Sequence, residues 1–181
     1  MKSNILMAIS IMAVISMVFL AGCSGPVEKT VKAGDKVSVD YTGTFTNGTV
    51  FDTSIEKIAK ESGVYNSERD YKPLEFLAGA GQMIKGFDDA VIGMKIGESK
   101  NISIPPSEAY GEKLLQMPIK KLTDMGIKPE VDQTLYSQYG QPLYKIVSID
   151  EASGNLTVES LNPMAGQTLQ FNIVLKSIES K

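Results

Sequence analysis

Four short stretches of this chain, residues 39–45 (VDYTGTF), 47–54 (NGTVFDTS), 81–87 (GQMIKGF) and 109–111 (AYG), supply Tyr41, Phe51, Asp52, Met83, Ile84, Phe87 and Tyr110. Brought together, these side chains would wall an aromatic, nearly chargeless pocket with a single carboxylate at its edge. They include no nucleophile paired with a base, so covalent catalysis is not what they suit. A prolyl peptide bond is a better match, because its isomerisation makes and breaks no covalent bond. Rotation costs about 18–20 kcal/mol through lost C–N resonance, and an apolar enclosure solvates the planar, charge-separated amide less well than the twisted one. Each residue also has a plainer use. Phe51, Phe87 and Phe171 stand where strands and a helix would place core, Asp52 ahead of Thr-Ser could cap a helix, and Tyr110 ahead of Gly could be a corner tyrosine.

Composition narrows the choices. The 181 residues contain no His and a single Cys, Cys23, so the usual zinc, copper and nickel ligand sets cannot be assembled. No disulfide can staple the fold, which must rest on its own core. A net charge of −3 without basic runs argues against nucleic-acid binding. Residues 1–22 differ from the rest: after Lys2, residues 5–22 carry no charge and are almost wholly apolar, the layout of a secretory signal peptide. The run closes on Leu20, Ala21, Gly22 and Cys23, similar to the lipobox of prokaryotic lipoproteins. The expectation is a lipidated Cys23, a tether over residues 23–30, and a chain anchored at the extracytoplasmic face of the cell membrane. An uncleaved signal anchor is the alternative, because 18 apolar residues come near the spanning threshold of about 20.

The elements that must position the pocket can be read from periodicity. Val37, Val39 and Tyr41 alternate with polar neighbours as a half-buried strand does, and Asn47-Gly48 suits a tight hairpin into the next strand. A short helix is expected over residues 54–62, a loop over residues 64–72, and strands over residues 74–77 and 100–104. Ile84, Phe87 and Val91 recur at helical spacing. A long final strand alternates through Leu169, Phe171, Ile173 and Leu175. Together they predict an α+β fold, an antiparallel sheet covered by one main helix. Between residues 111 and 162 the pattern changes to strand-like runs at 143–149 and 156–158, which predicts a mostly β lobe inserted before the final strand.

These motifs, with residues 162–175, resemble the FKBP-type peptidyl-prolyl isomerases, and within them the SlyD-like branch that carries an insert-in-flap chaperone lobe. The resemblance covers residues 31–179. It implies an FKBP-like half-barrel sheet over residues 31–112 and 161–181, the inserted lobe over residues 113–160, and no cofactor. It also implies a pocket of Tyr41, Phe51, Asp52, Leu74, Phe76, Met83, Ile84, Phe87, Tyr110 and Phe171. Phe87 would be its floor, Phe51 and Phe171 would grip the prolyl ring, and the Ile84 N–H and Tyr110 hydroxyl would hold substrate carbonyls, with Tyr41 and Asp52 as the polar edge. The partners implied are proline-containing unfolded polypeptides and macrolide-type inhibitors. SlyD itself is rich in His whereas this chain has none, so nickel handling is not carried over. The long stretch after Phe51 matches longer archaeal members and bears on substrate access. A non-catalytic peptide-binding chaperone or adhesin using the same cleft is the competing expectation.

Overall fold

A computed structural model describes residues 29–180. Its first strand, β1 (Lys36–Phe45), organises the main sheet because Val37, Val39, Tyr41 and Gly43 all face inward. Along one edge β1 pairs with β2 (Val50–Thr53) and, further down, with β3 (Leu74–Leu77). Its other edge takes the long strand β9 (Leu169–Glu179), which pairs in turn with β4 (Ser99–Ile104), and every one of these pairings is antiparallel. Register is kept by a bulge. Ser38 faces Ser177 and Val39 faces Leu175, so Lys176 is the extra residue, and Ile178 beyond it returns to the buried face opposite Val37.

Helix α1 (Glu56–Glu61) follows β2, and helix α2 (Lys85–Val91) lies across the inward face of the sheet, burying Phe87, Asp88, Ala90 and Val91. Gly86 lets α2 lie close to the sheet, since a Cβ there would stand 2.5 Å from Cγ2 of Ile104 on β4. At the end of α2 the Lys100 ammonium donates to the Ala90 carbonyl (3.0 Å), satisfying an acceptor that the helix leaves open.

Between β4 and β9 the chain builds a second, smaller antiparallel sheet in the order β5 (Leu114–Pro118), β8 (Asn155–Ser160), β7 (Pro142–Asp150) and β6 (Thr134–Tyr136), with the short helix α3 (Ile119–Thr123). Leu122, Ile146, Leu156 and Val158 form its core. The fold is therefore α+β, an open antiparallel sheet packed on a helix with an inserted second sheet. The chain leaves and re-enters the main sheet at one place: Ser160 donates its N–H to the Lys113 carbonyl and Gly166 to that of Gly111, both at 2.8 Å.

The membrane placement expected from the leader is corrected. Among the described residues no helix is long and apolar enough to cross a membrane. The longest of them, α2, has 7 residues, whereas a spanning helix takes about 20. Residues 1–22 and Cys23, on which the expectation rested, lie outside the described residues.

Candidate active site

The main sheet and α2 enclose a cavity of about 550 Å³. Tyr41 reaches it from β1, Phe51 and Asp52 from β2, Leu74 from β3, Met83 and Ile84 from the approach to α2, Phe87 from α2, Tyr110 from the segment after β4, and Phe171 from β9. Gln82, Lys85 and Ala109 complete the lining. Phe76 is the exception among the expected residues: it is buried beneath the wall, its ring 5.9 Å from that of Phe87, and lines no part of the cavity.

The aromatic wall is a set of edge-to-face contacts, the geometry that ring quadrupoles favour. Phe87 meets Phe171 at 5.2 Å and 81°, Phe171 meets Phe51 at 5.6 Å and 88°, and Tyr41 meets Phe87 at 5.9 Å and 87°. Gly43 makes this closure possible. A Cβ on it would lie 2.6 Å from Cζ of Phe51 and 2.9 Å from Cε1 of Phe171, so no larger residue fits without moving a ring. The glycine of VDYTGTF thus shapes the pocket although it does not line the cavity.

Two features hold the polar side of the cavity. The buried Asp88 carboxylate accepts the N–H groups of Gly79 (2.7 Å) and Gly81 (2.8 Å), fixing the loop that delivers Met83 and Ile84. Ile84 stands one residue ahead of α2, and its N–H has no acceptor among the described residues. At the opposite rim the Tyr41 hydroxyl donates to Oδ2 of Asp52 (2.6 Å), while Arg69 donates to both Oδ1 of Asp52 and the Tyr41 hydroxyl, the latter at 2.9 Å. Burial, then the bond to Asp52, push the Tyr41 phenol up to about 12, with Arg69 pulling the other way. Tyr41 is therefore a neutral donor at neutral pH.

The plainer uses are answered residue by residue. Asp52 does not cap α1: the cap position is Ile55, with no side-chain bond, and Oδ1 of Asp52 instead accepts the N–H of Thr53 at 2.8 Å. Tyr110 is 46% exposed at the rim, unlike a packed corner tyrosine. Phe87 and Phe171 are both core and wall, being buried and lining the cavity at once. Gln82, Lys85 and Ala109 sit inside or beside the motifs GQMIKGF and AYG, so their types were in view although their part was not. Arg69 was missed outright. It lies in an aperiodic polar loop, and only the tertiary structure brings it to Asp52, 17 residues away in sequence. Among the described residues no group of His, Cys, Asp and Glu could hold a metal.

The chain is similar to known proteins over most of its length. The family model described as FKBP-type peptidyl-prolyl cis-trans isomerase matches residues 27–176. The short-type peptidyl-prolyl cis-trans isomerase of Methanocaldococcus jannaschii is 37% identical over 153 residues, 82% of this chain and 94% of that protein. FK506-binding protein 2 of Dictyostelium discoideum is 42% identical over 90 residues, 49% of this chain and 58% of its own length, and that of Yarrowia lipolytica is 41% identical over 90 residues, covering 49% and 54%. A match over 82% of this chain necessarily runs into the second sheet.

Proposed function

This chain belongs to the FKBP-type peptidyl-prolyl cis-trans isomerases, enzymes acting on Xaa-Pro bonds, and from that premise we propose that the aromatic cavity is its catalytic site and that unfolded polypeptides are its substrates. The observation that carries the proposal is the combination of an edge-to-face aromatic wall with a single polar rim around one cavity of about 550 Å³. Phe51 and Phe171 clasp the prolyl ring over Phe87. The free N–H of Ile84 and the hydroxyl of Tyr110 hold the flanking carbonyls, and the Tyr41–Asp52 pair faces the rotating one. Catalysis is non-covalent. The cavity withholds water from the planar amide, whose charge separation needs it, and disfavours it relative to the twisted state. Each 1.4 kcal/mol of that difference, approximately, is worth about tenfold in rate. The same cavity takes macrolide-type inhibitors, which compete with peptide.

Residues 31–112 and 161–181 form the isomerase domain in this proposal, and residues 113–160 an insert-in-flap lobe of the SlyD-like kind that holds unfolded client chain. Among the described residues, seven of the thirteen exposed large hydrophobic residues fall within that lobe, including Tyr139 at 82% and Met125 at 67%. Apolar surface left open in this way suits transient capture of unfolded chain, which raises the concentration of prolyl bonds near the cavity. The test has two arms. Phe171→Ala and Tyr110→Phe should both slow isomerisation of a short Xaa-Pro peptide, and wild-type rates in both would refute the site. Excising residues 112–160 should leave peptide turnover standing while slowing the refolding of a proline-limited protein; undiminished refolding would refute the lobe's role.

A further inference from the structure

We propose that the crossing between the two sheets carries a second subsite, which seats an apolar side chain of the substrate outside the prolyl dipeptide, with Leu143 as its specificity-determining residue. The inference rests on the catalytic reading of the aromatic cavity given above and extends it along the substrate chain. A separate cavity of about 320 Å³ opens at the crossing, and Tyr110 lines both cavities. One tyrosine is thus a shared wall. Facing it are Leu143 and Tyr144 from β7, and Leu161, the residue after β8. None of the residues around this second cavity carries a charge. Tyr110, Leu143 and Leu161 are each left between 39% and 46% exposed, so apolar surface from both parts of the chain converges on one spot. Moving an apolar group from water onto such walls is favourable.

The backbone accounts for the position of the leucines. Leu135 faces Tyr144 and Tyr136 faces Pro142, so Leu143 is the extra residue of a bulge on β7. A bulge takes its side chain out of the alternation of the ladder and aims it elsewhere. The ladder between β7 and β8 ends at Tyr144 and Ser160, and beyond that pair the Leu143 carbonyl accepts the Leu161 N–H at 2.9 Å. The two leucines are therefore tied side by side. Lys113 fastens the crossing itself: its ammonium donates to the Ser160 carbonyl at 2.6 Å and lies 3.3 Å from the Glu159 carboxylate. Gly166 packs onto the same lysine, since a Cβ there would stand 2.8 Å from Cβ of Lys113.

The occupant follows from this continuity. Side chains on one side of an extended chain recur every second residue, about 7 Å apart. A substrate with proline in the aromatic cavity and a carbonyl on the Tyr110 hydroxyl passes that ring and enters the second cavity about two to four residues further on. The experiment takes a short peptide with a central proline and otherwise Ala, and moves a single Leu to each position two, three or four residues before or after the proline. Leu at one position, on one side of the proline, should lower KM about three- to tenfold with kcat little changed, the signature of binding shared by ground and transition states. Within Leu143→Ser the ratio of KM between the Ala and Leu peptides should fall below about twofold, and Leu161→Ser serves the same purpose if the first variant does not fold. Equal KM for all the peptides overturns the subsite. So does an equal gain at every position, or a gain that survives both substitutions. A dimer at assay concentration that Leu143→Ser dissociates, seen by sedimentation velocity, would give the cavity to a second copy and overturn the substrate's claim to it. Phe171→Ala separates the two readings: slowed turnover of the Ala peptide without any effect of Leu sinks the subsite alone, and unslowed turnover sinks the catalytic cavity and the subsite together.

Discussion

The two sheets of this chain meet the same packing requirement with very different resources. The main sheet closes on α2 and buries sixteen apolar residues, four of them aromatic (Tyr41, Phe76, Phe87 and Phe171). The inserted sheet buries four, none aromatic, and its helix α3 has 5 residues. A large, interlocked core fixes its rings to within the tolerance of close packing, which is what a pocket of set shape requires. A small one covers less of its own apolar surface and opens more readily. The difference teaches that one chain can keep a closely packed pocket and a sheet with more of its apolar surface open, provided that each has a core of its own.

Phe171→Ala tests the rigid side with the largest expected effect. Phe171 is 8% exposed and meets the rings of Tyr41, Phe51 and Phe87. Its loss should cost about 3–5 kcal/mol by urea unfolding. It should also lower kcat/KM on an Xaa-Pro peptide by at least about tenfold, or roughly 1.4 kcal/mol of transition-state stabilisation. Ile146→Ala applies a comparable insult to the other side. Ile146 has no exposed surface and sits at the centre of the small core, so truncation should cost about 2–5 kcal/mol. If the cores are independent, the amides of residues 114–160 lose hydrogen-exchange protection while those of β1 and β9 keep theirs, and peptide turnover stays within about twofold of wild type. A parallel loss of protection in β1 would show one cooperative unit instead of two.

How much of this was legible beforehand follows the same division. Strands β1 and β9 announce themselves by alternation, because one face of each is buried against a deep core: Val37, Val39 and Tyr41 on β1, and Leu169, Phe171, Ile173 and Leu175 on β9. The motif residues of the cavity could be gathered because each motif falls on or beside one element, β1, β2, α2 or the segment after β4. Phe76, which the resemblance put in the pocket, is buried beside the Phe87 ring and does not line the cavity. In the inserted segment β5 and β6 went unseen, for a shallow core imposes a weak pattern: β5 alternates only between exposed and half-buried. In that segment Leu122 is buried and Met117 and Tyr144 pack against its core, while Met125, Tyr136 and Tyr139 are exposed. Arg69 left no trace in periodicity because its place is set by ring stacking and an ion pair, neither of which has a period.

Gly43→Ala sharpens the comparison at smaller cost. The added methyl would press into the rings of Phe51 and Phe171, and overpacking of this kind typically costs about 1–3 kcal/mol. Stability by urea unfolding should fall accordingly and kcat/KM with it, while hydrogen exchange in residues 114–160 is unmoved. An unchanged kcat/KM would mean that the rings can shift without consequence, and that the wall is less exacting than its edge-to-face geometry implies.

The smallest effect expected is a response to alkali, and it too belongs to the main sheet alone. Tyr41 is harder to ionise folded than unfolded, its phenol being raised from the usual 10 to about 12 by burial and by the bond to Asp52. The stability it contributes is therefore complete below about pH 10 and is lost as pH rises toward 12, where the folded protein too gives up the proton. Absorbance at the tyrosinate band should show one phenol ionising near pH 12, and Tyr41→Phe should remove that step. Arg69 opposes the upward shift and Asp52 supports it, so Arg69→Ala should move the step higher and Asp52→Asn should move it lower. A step that ignores both substitutions would place Tyr41 outside the ring of bonds with Asp52 and Arg69.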